Sequence, residues 1–248
     1  MAASRSGESS AGLSPETSKK VVAAIEESIP FYDQVNNLIS FRRAQLARGF
    51  AIQMLQLGRG SVVLDAGIGP GTTSRLLMES AKPGLLVGFD ASWKQLETAK
   101  SNLSALASSL QLVRGSFEFL PFRDNVFDAI ITCYALRDSV DIPKAIGEYH
   151  RVCSESGAFA DVDLGKPDNL LKRAGSMFYI RYLMPLIAKA AIIGKMKGNP
   201  WRMIIPTYKS LPTNNSLVLQ MKNYFPYVEF KEFLMGGIVV MIGRRTSG

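Results

Sequence analysis

Asp65, the glycines at 67, 69 and 71, and a second acid at Asp90 are the residues of this chain best placed for binding chemistry. The first four stand in the run Val62-Val-Leu-Asp-Ala-Gly-Ile-Gly-Pro-Gly71. Glycine is needed where backbone turns tightly and must admit a ligand with no Cβ in the way. An acid roughly twenty residues past such a loop, at the tip of the next strand, suits a two-pronged grip on a ribose diol. Three readings of the loop stand side by side. Dinucleotide enzymes space their glycines Gly-x-Gly-x-x-Gly and set a pyrophosphate on a helix N-terminus. Here the spacing is tighter, and Asp65 would repel a pyrophosphate. A ligand carrying an ammonium and a sulfonium, S-adenosylmethionine, suits that carboxylate. A nicotinamide dinucleotide and a purely structural strand–helix turn are the alternatives.

These residues need rigid elements to hold them. Apolar runs predict strands near 61–66, 85–90, 110–114, 127–133 and 157–163, alternating with helices near 72–81, 92–108 and 141–152. Such alternation predicts a parallel sheet with helices on both faces. Helical patterns at about 16–29, 31–39 and 41–57 precede the first strand. After Gly165 the alternation stops. Residues 169–196 read as one long apolar helical segment, and an irregular stretch holding Pro200, Pro206 and Pro212 follows. A helix at about 213–223 then leads to strands 227–233 and 237–243, turned at Gly236-Gly237. Strands joined so closely must be antiparallel. The expected fold is α/β: a Rossmann-like, mostly parallel seven-stranded sheet closed by a C-terminal antiparallel hairpin, as in class I methyltransferases. The expected organisation is a disordered tail at 1–15, a helical lid at 16–57, the cofactor core at 58–165, an apolar, basic insertion at 166–212 and the closing helix and hairpin at 213–248.

Composition narrows the classes. A chain of 248 residues that is 47% hydrophobic can bury one large core. Two cysteines, Cys133 and Cys153, make no disulfide framework and point to a reducing, cytoplasmic setting; as side chains they read as small buried apolar groups. The single histidine excludes a His-rich metal site, and no metal is expected. His150 reads as a helix-surface residue rather than a catalyst. The Ser-, Ala- and Gly-rich start lacks the apolar core of a signal peptide and carries Glu8 and Glu16, which argues against an organellar transit peptide, while its serine content keeps that alternative open.

Four separated segments bear a specific likeness. Tyr32-Asp33-x-x-Asn36-x-x-x-Ser40 is followed by Arg42, Arg43 and Arg48. Leu120-Pro121-Phe122-x-Asp124-Asn125-x-Phe127-Asp128 leads into the fourth strand. Leu136-Arg137-Asp138 follows it. The block Lys144-Ala145 to Arg151-Val152 continues through Asp163-x-Gly165-Lys166-Pro167, with Gly237-Ile238-Val239 near the end. Together they resemble the C-methyltransferases of ubiquinone and menaquinone biosynthesis over about residues 20 to 243. The resemblance implies an S-adenosylmethionine site formed by Asp65, Gly67, Gly69, Pro70, Gly71, Asp90, Ala91, Ser116, Phe117 and Cys133, and a prenylated benzoquinol or naphthoquinol substrate. It also implies catalytic positions at Arg137, Tyr32 and Asp138, with an Arg–water–Tyr arrangement mapped onto Arg137 and Tyr32.

The chain departs from that family at three places. Gly115-Ser116-Phe117 stands where Gly-Asp-Ala is usual, so the acid that meets the adenine amino group is replaced by a hydroxyl, and Phe117 could stack on the purine. Asp138 replaces an amide and adds a negative charge beside Arg137. Lys209-Ser210-Leu211-Pro212 replaces Arg-Met-His-Pro. Methyl transfer from a sulfonium is catalysis by alignment, and methylating a ring carbon first requires a phenolic proton to leave, through a base or a bridging water. Arg137, at a strand's C-terminal tip, could stabilise the phenolate or hold that water. Its structural alternative is an ion pair with Asp138 or Asp141. The structural alternative for Tyr32-Asp33 is a helix start, Asp33 capping and Tyr32 packing.

Charge is unevenly placed. Residues 1–165 carry a net −2, while 166–248 carry 13 Lys+Arg against Asp168, Glu229 and Glu232. Basic surface suits nucleic acid, anionic membranes or acidic ligands. Arg181, Pro185 and Lys189 interrupt the apolar run at 177–196, so it is not a transmembrane helix. It reads as a lid that shelters a prenyl tail and rests peripherally on the inner face of an anionic membrane, or as a helix packed on the core or in a homodimer interface. A nucleic-acid methyltransferase competes on charge alone. No nucleic-acid partner is expected, because the basic half is highly apolar and no Asn-Pro-Pro-Tyr-like grip for a flipped base follows strand four. A methyltransferase acting on a different small molecule or on a lipid also fits these residues, as does a non-catalytic cofactor-binding scaffold.

Overall fold

The computed structural model describes residues 12–246; the tail expected at the N-terminus lies mostly outside them. The first helix, α1 (Pro15–Ser28), starts where Ser14 Oγ accepts from the Thr17 amide and proline occupies the first turn. A 3₁₀ turn, Ile29–Phe31, joins it to α2 (Tyr32–Ile39), and Phe41 and Arg42, both at positive φ, turn the chain into α3 (Arg43–Met54).

The sheet then builds by alternation: β1 (Val62–Ala66), α4 (Thr72–Ser80), β2 (Leu85–Asp90), α5 (Trp93–Asn102), β3 (Leu110–Arg114), β4 (Phe127–Cys133), α6 (Ile142–Val152) and β5 (Cys153–Leu164). The expected helix at 92–108 stops at Asn102, and a 3₁₀ segment, Ser104–Ser109, completes the connection. β5 begins at Cys153, earlier than the apolar run implied, pairing Phe127 before a register shift. The order is β3-β2-β1-β4-β5-β7-β6, with the first five strands parallel. Both closing strands, β6 (Tyr227–Phe233) and β7 (Ile238–Arg244), pair antiparallel.

Side chains alternate across the sheet, as strand geometry dictates. Leu64, Phe89, Ile130, Phe159 and Met241 share one apolar cluster with Ile146, Tyr149, Leu217 and Phe225. Val63, Leu86, Ile131, Val162 and Val240 share the other with Ala47, Ala51, Ile52 and Leu77. Burial on both faces explains why these strands read as continuous apolar runs.

The long segment at 169–196 divides. α7 (Leu170–Phe178) passes through a π turn, Tyr179–Leu183, into α8 (Met184–Ala191). The break ends at Leu183, with Met184 between it and Pro185, and the proline has no N–H for the carbonyl four residues back and crowds it. The stretch expected to be irregular contains a further helix, α9 (Ile204–Ser210), before α10 (Asn214–Lys222). The hairpin turns earlier than Gly236-Gly237: Leu234, Met235 and Gly236 all take positive φ.

Candidate active site

At the cofactor end, Asp65 is fully buried beneath the glycine loop. One oxygen accepts from Ser74 Oγ at 2.6 Å, and Oδ1 has no partner. Burial pushes its carboxyl up to about 6, with the Ser74 hydrogen bond and Arg48 pulling the other way. A buried anion with a free oxygen is costly unless a cation meets it. The glycines differ in what they spare. A Cβ on Gly67 would meet Ala135 Cβ at 2.4 Å, and one on Gly71 would meet Leu103 Cδ1 at 2.8 Å. At Gly69 (φ +54) the added atom meets only the Gly67 carbonyl at 4.0 Å. Gly69 is thus the glycine whose missing side chain leaves open space above the loop. Pro70 is buried, and its carbonyl accepts from Asn102 Nδ2 at 2.9 Å.

Asp90 stands across this loop. Gly69 N donates to its Oδ2 at 3.0 Å and Ser92 N to its Oδ1 at 2.9 Å. Burial raises its pKa while those two amides oppose the rise. Each oxygen spends one acceptor site on backbone and retains another. Ala91 is exposed beside it, its carbonyl held by Arg114 Nε. Ser116 is exposed, and its hydroxyl bonds Glu118, a buried acid whose Oε1 also accepts from Val140 N at 2.7 Å and Asp141 N at 3.2 Å. Glu118 thus puts an acid two residues on from the position where the family acid is usual, and it accepts from the Ser116 hydroxyl. The Phe117 ring lies against Gly67, 6.1 Å from Phe89 and 6.2 Å from Tyr149. Cys133 is buried at the end of β4, its thiol pushed up to about 12 by burial, as an inert structural thiol. These residues fit S-adenosylmethionine: a buried anion with a free oxygen suits its cationic end, an acid with free acceptor sites suits its ribose diol, and space stands open over Gly69.

At the other end, a short turn after β4, Leu136–Asp138, carries Arg137. Its expected structural partners were Asp138 or Asp141. The main partner is instead Asp163 on β5, with Nη1–Oδ1 at 2.5 Å and Arg137 N donating to Oδ2 at 3.1 Å. Asp138 Oδ1 lies 3.7 Å from Arg137 Nε, and both atoms lack hydrogen-bond partners. Asp141 caps α6, accepting from Lys144 N. Burial opposes the guanidinium charge, but Asp163 and then Asp138 outweigh it, so Arg137 stays protonated. Burial pushes the Asp138 carboxyl up to about 7, against the pull of Arg137 and with repulsion from Asp163 and Asp90.

Tyr32 opens α2 and faces this group; burial raises its phenol, with Arg48 and Arg137 opposing. Asp33 is not a helix cap: its Oδ1 accepts from Thr72 Oγ1 at 2.7 Å, across to the first residue of α4. His150 sits on α6 against Phe225, ring centres 5.3 Å apart, remote in role from this cluster.

Tyr32, Arg137 and Asp138 line one end of a cavity of about 620 Å³. Its other walls are mostly apolar, drawn from α1, α2, the π turn, α8, α9 and the segment around Trp201, among them Val21, Ile39, Tyr179, Ile180, Met184, Trp201 and Ile204. Tyr179 Oη donates to the Ile39 carbonyl at 2.6 Å, and Trp201 Nε1 to Asn36 Oδ1 at 3.0 Å, tying α2 to the segments around Tyr179 and Trp201. Sequence reading gave no site role to Asp163, Tyr134 or Arg48. Tyr134 (φ +61) lies directly after β4, and the Arg48 guanidinium covers its ring at 4.9 Å. For Asp163 and Tyr134 the available signal was an acid and an aromatic at strand tips; Arg48, inside α3, stood out only as a basic residue after the Tyr32 segment.

Comparison with known proteins follows the same lines. Residues 14–245 match the ubiE/COQ5 methyltransferase family. The chain belongs to that family. Like its other members it is an S-adenosylmethionine-dependent methyltransferase. It is 28% identical over 219 residues to a demethylmenaquinone methyltransferase of Oceanobacillus iheyensis, covering 87% of this chain and 91% of the relative. It is 31% identical over 164 residues to a 2-phytyl-1,4-naphtoquinone methyltransferase of Nostoc sp., covering 65% and 72%. Among solved structures, an S-adenosylmethionine-dependent methyltransferase of Thermotoga maritima shares the fold at a TM-score of 0.63 and 16% identity, covering 91% of this chain and all of that one. The family match agrees with the α/β sheet, the glycine loop and the closing hairpin.

Proposed function

We propose that this methyltransferase transfers its methyl group to a ring carbon of a prenylated quinol, a naphthoquinol in the first instance. The observation that carries the reading is the polarity of the cavity: a mostly apolar chamber of about 620 Å³ whose lining includes Tyr32, Arg137 and Asp138. A quinol has that polarity, two ring oxygens at one end of a prenyl tail. Relatives named for naphthoquinone substrates support the nucleus. Bound S-adenosylmethionine supplies a methyl group already activated on sulfonium. The protein's own task is alignment. Tyr32 and Arg137 hold a ring oxygen by hydrogen bonds. With its charge largely met by Asp163, Arg137 orients and polarises more than it neutralises. Apolar walls exclude water from the ring.

The rim supports a membrane seat. Leu171 (83% exposed), Met235 (79%) and Phe41 (62%) line the cavity at its mouth, and Leu186 and Ile193 stand exposed on the same segment. Lys172, Lys189, Lys195 and Lys197 make no ion pair among the described residues. Among those residues no helix is long and apolar enough to cross a membrane. Apolar side chains flanked by free cations suit the surface of an anionic bilayer, where a prenyl tail would be delivered.

The experiment is methylation of 2-prenyl-1,4-naphthoquinol and 2-prenyl-1,4-benzoquinol under reducing conditions, products located by mass spectrometry. A new ring C–CH3 supports the reading; methyl on oxygen, or none, overturns it. Co-sedimentation with anionic against neutral vesicles tests the seat. Equal binding to both at low salt, with a dimer in solution, would assign the rim to a second copy instead.

A further inference from the structure

Asp138 is the only carboxyl group among the described residues that line the cavity. Its side chain is 14% exposed, with Oδ1 buried and without a hydrogen-bond partner. Arg137 does not satisfy it, because that guanidinium directs its short contact to Asp163 and stands off from Asp138 at 3.7 Å. A carboxylate held in place on the wall of the chamber, without a hydrogen-bond partner on Oδ1 and with its nearest cation 3.7 Å away, is the arrangement required of a proton acceptor. We propose that Asp138 is the general base of the reaction, removing the phenolic proton of the quinol as the adjacent ring carbon takes the methyl group. This rests on the quinol reading above.

The step balances without a further reactant. The quinol O–H bond breaks and its proton moves to the Asp138 carboxylate. The freed electron pair shifts into the ring, and the ring carbon forms a bond to the methyl carbon while the C–S bond breaks with its electrons left on sulfur. The ring carbon then loses its hydrogen to water, and Asp138 returns its proton to the ring oxygen, restoring the aromatic quinol. One proton is released to solvent per methyl transferred.

The other cavity groups are poor candidates. Burial and the charges around them keep Arg137 protonated and Tyr32 and Tyr134 neutral near pH 7. The groups facing Asp138 are Arg137 on its own turn, Asp163 on β5, Asp90 on β2 and Tyr32 on α2. Asp163 and Asp90 repel its anion, and Arg137 attracts it. The balance leaves the carboxyl titrating close to neutrality, where a base works best. Above that point it is ionised and ready; below it, it already carries a proton.

The test compares the wild type with Asp138→Asn, which keeps the shape. Turnover should fall by roughly 10²-fold or more, the acidic limb near pH 7 in the quinol kcat/KM profile, measured at saturating S-adenosylmethionine, should vanish, and calorimetric affinity for S-adenosylmethionine should stay within about threefold. Quinols bearing electron-withdrawing groups, whose phenols ionise more easily, should recover part of the loss; a purely structural role predicts an equal deficit for every quinol. Turnover within tenfold of wild type, or an unchanged acidic limb, overturns the assignment. Should Asp138→Asn lose cofactor binding, the wild-type profile decides: no acidic limb near neutrality overturns it. Wild-type enzyme that leaves every quinol unmethylated overturns the substrate reading and this inference together. Turnover that survives in Asp138→Asn overturns this inference alone.

Discussion

Thr72 Oγ1 donates a 2.7 Å hydrogen bond to Asp33 Oδ1. It links the residue that opens α4, directly after the glycine loop, to the residue beside Tyr32. Glu26 on α1 makes a parallel link, accepting from Ser92 Oγ two residues beyond Asp90. Two helices that wall the chamber, α1 and α2, are thus fastened beside the tips of β2 and β1. Thr72→Val should weaken S-adenosylmethionine binding by about 1 kcal/mol, the usual net value of one hydrogen bond, and should raise the quinol KM as well. Paired calorimetry and steady-state kinetics read both. A change confined to one ligand would mean that the link transmits nothing.

Asp65 should make binding at the proposed cofactor site pH-dependent. Its carboxyl titrates at about 6 in the folded protein against an ordinary 3.8. Between those values the folded state binds the proton more tightly than the unfolded state, so this group's contribution lowers stability as pH rises through the window. The cationic ligand favours the charged form. Below about pH 6 binding must expel a proton, and affinity should fall by up to tenfold per pH unit. Calorimetry in buffers of different ionisation enthalpy should show proton release in that range. Asp65→Asn should bind weakly at all pH values, with no proton released.

Gly69 and Gly71 should fail differently. Gly69→Val puts its side chain into open space and should abolish cofactor binding. The left-handed backbone adds only about 1–2 kcal/mol of destabilisation. Gly71→Val drives Cβ into Leu103 and carries the same backbone strain, so it should lower Tm further. Thermal melts beside ligand titrations separate the two. Equal Tm loss with retained binding in Gly69→Val would place the cofactor elsewhere.

Arg137→Ala should cost stability as well as rate, because it leaves Asp163 buried and uncompensated. Breaking such a pair by removing one partner typically costs 3–5 kcal/mol. Asp163→Asn in the same chain should restore much of the fold without restoring turnover. Chemical denaturation of the single and double variants measures the coupling. If Arg137→Ala unfolds at the wild-type denaturant concentration, the ion pair is not structural.

How far these relationships were legible depends on sequence distance. The glycine loop, Asp90 and the strand–helix alternation are local patterns, and they stand where the sequence placed them. Asp163 was overlooked as the partner of Arg137 because Asp138 and Asp141 are nearer in sequence. Strand register, which pairs Cys133 with Val162, brings Asp163 beside the turn instead. The π turn before Pro185 was hidden inside a good helical pattern, although the proline was its signal. The chamber was the least legible feature. Its walls meet through contacts such as Tyr179 to Ile39 and Trp201 to Asn36, between segments on opposite sides of the sheet-forming sequence.

Trp201 has one consequence more. The chain holds two tryptophans. Trp93 is 59% exposed and hydrogen-bonds Glu97, while Trp201 is 4% exposed and lines the chamber. An indole in apolar surroundings emits at shorter wavelength than one in water, and an oxidised quinone accepts an electron from a nearby excited indole. The two emissions are therefore separable by colour and by quencher. Aqueous iodide should silence Trp93, and a quinone seated in the chamber should silence Trp201. The wall of the substrate site is thus its own optical gauge of occupancy, needing neither label nor turnover.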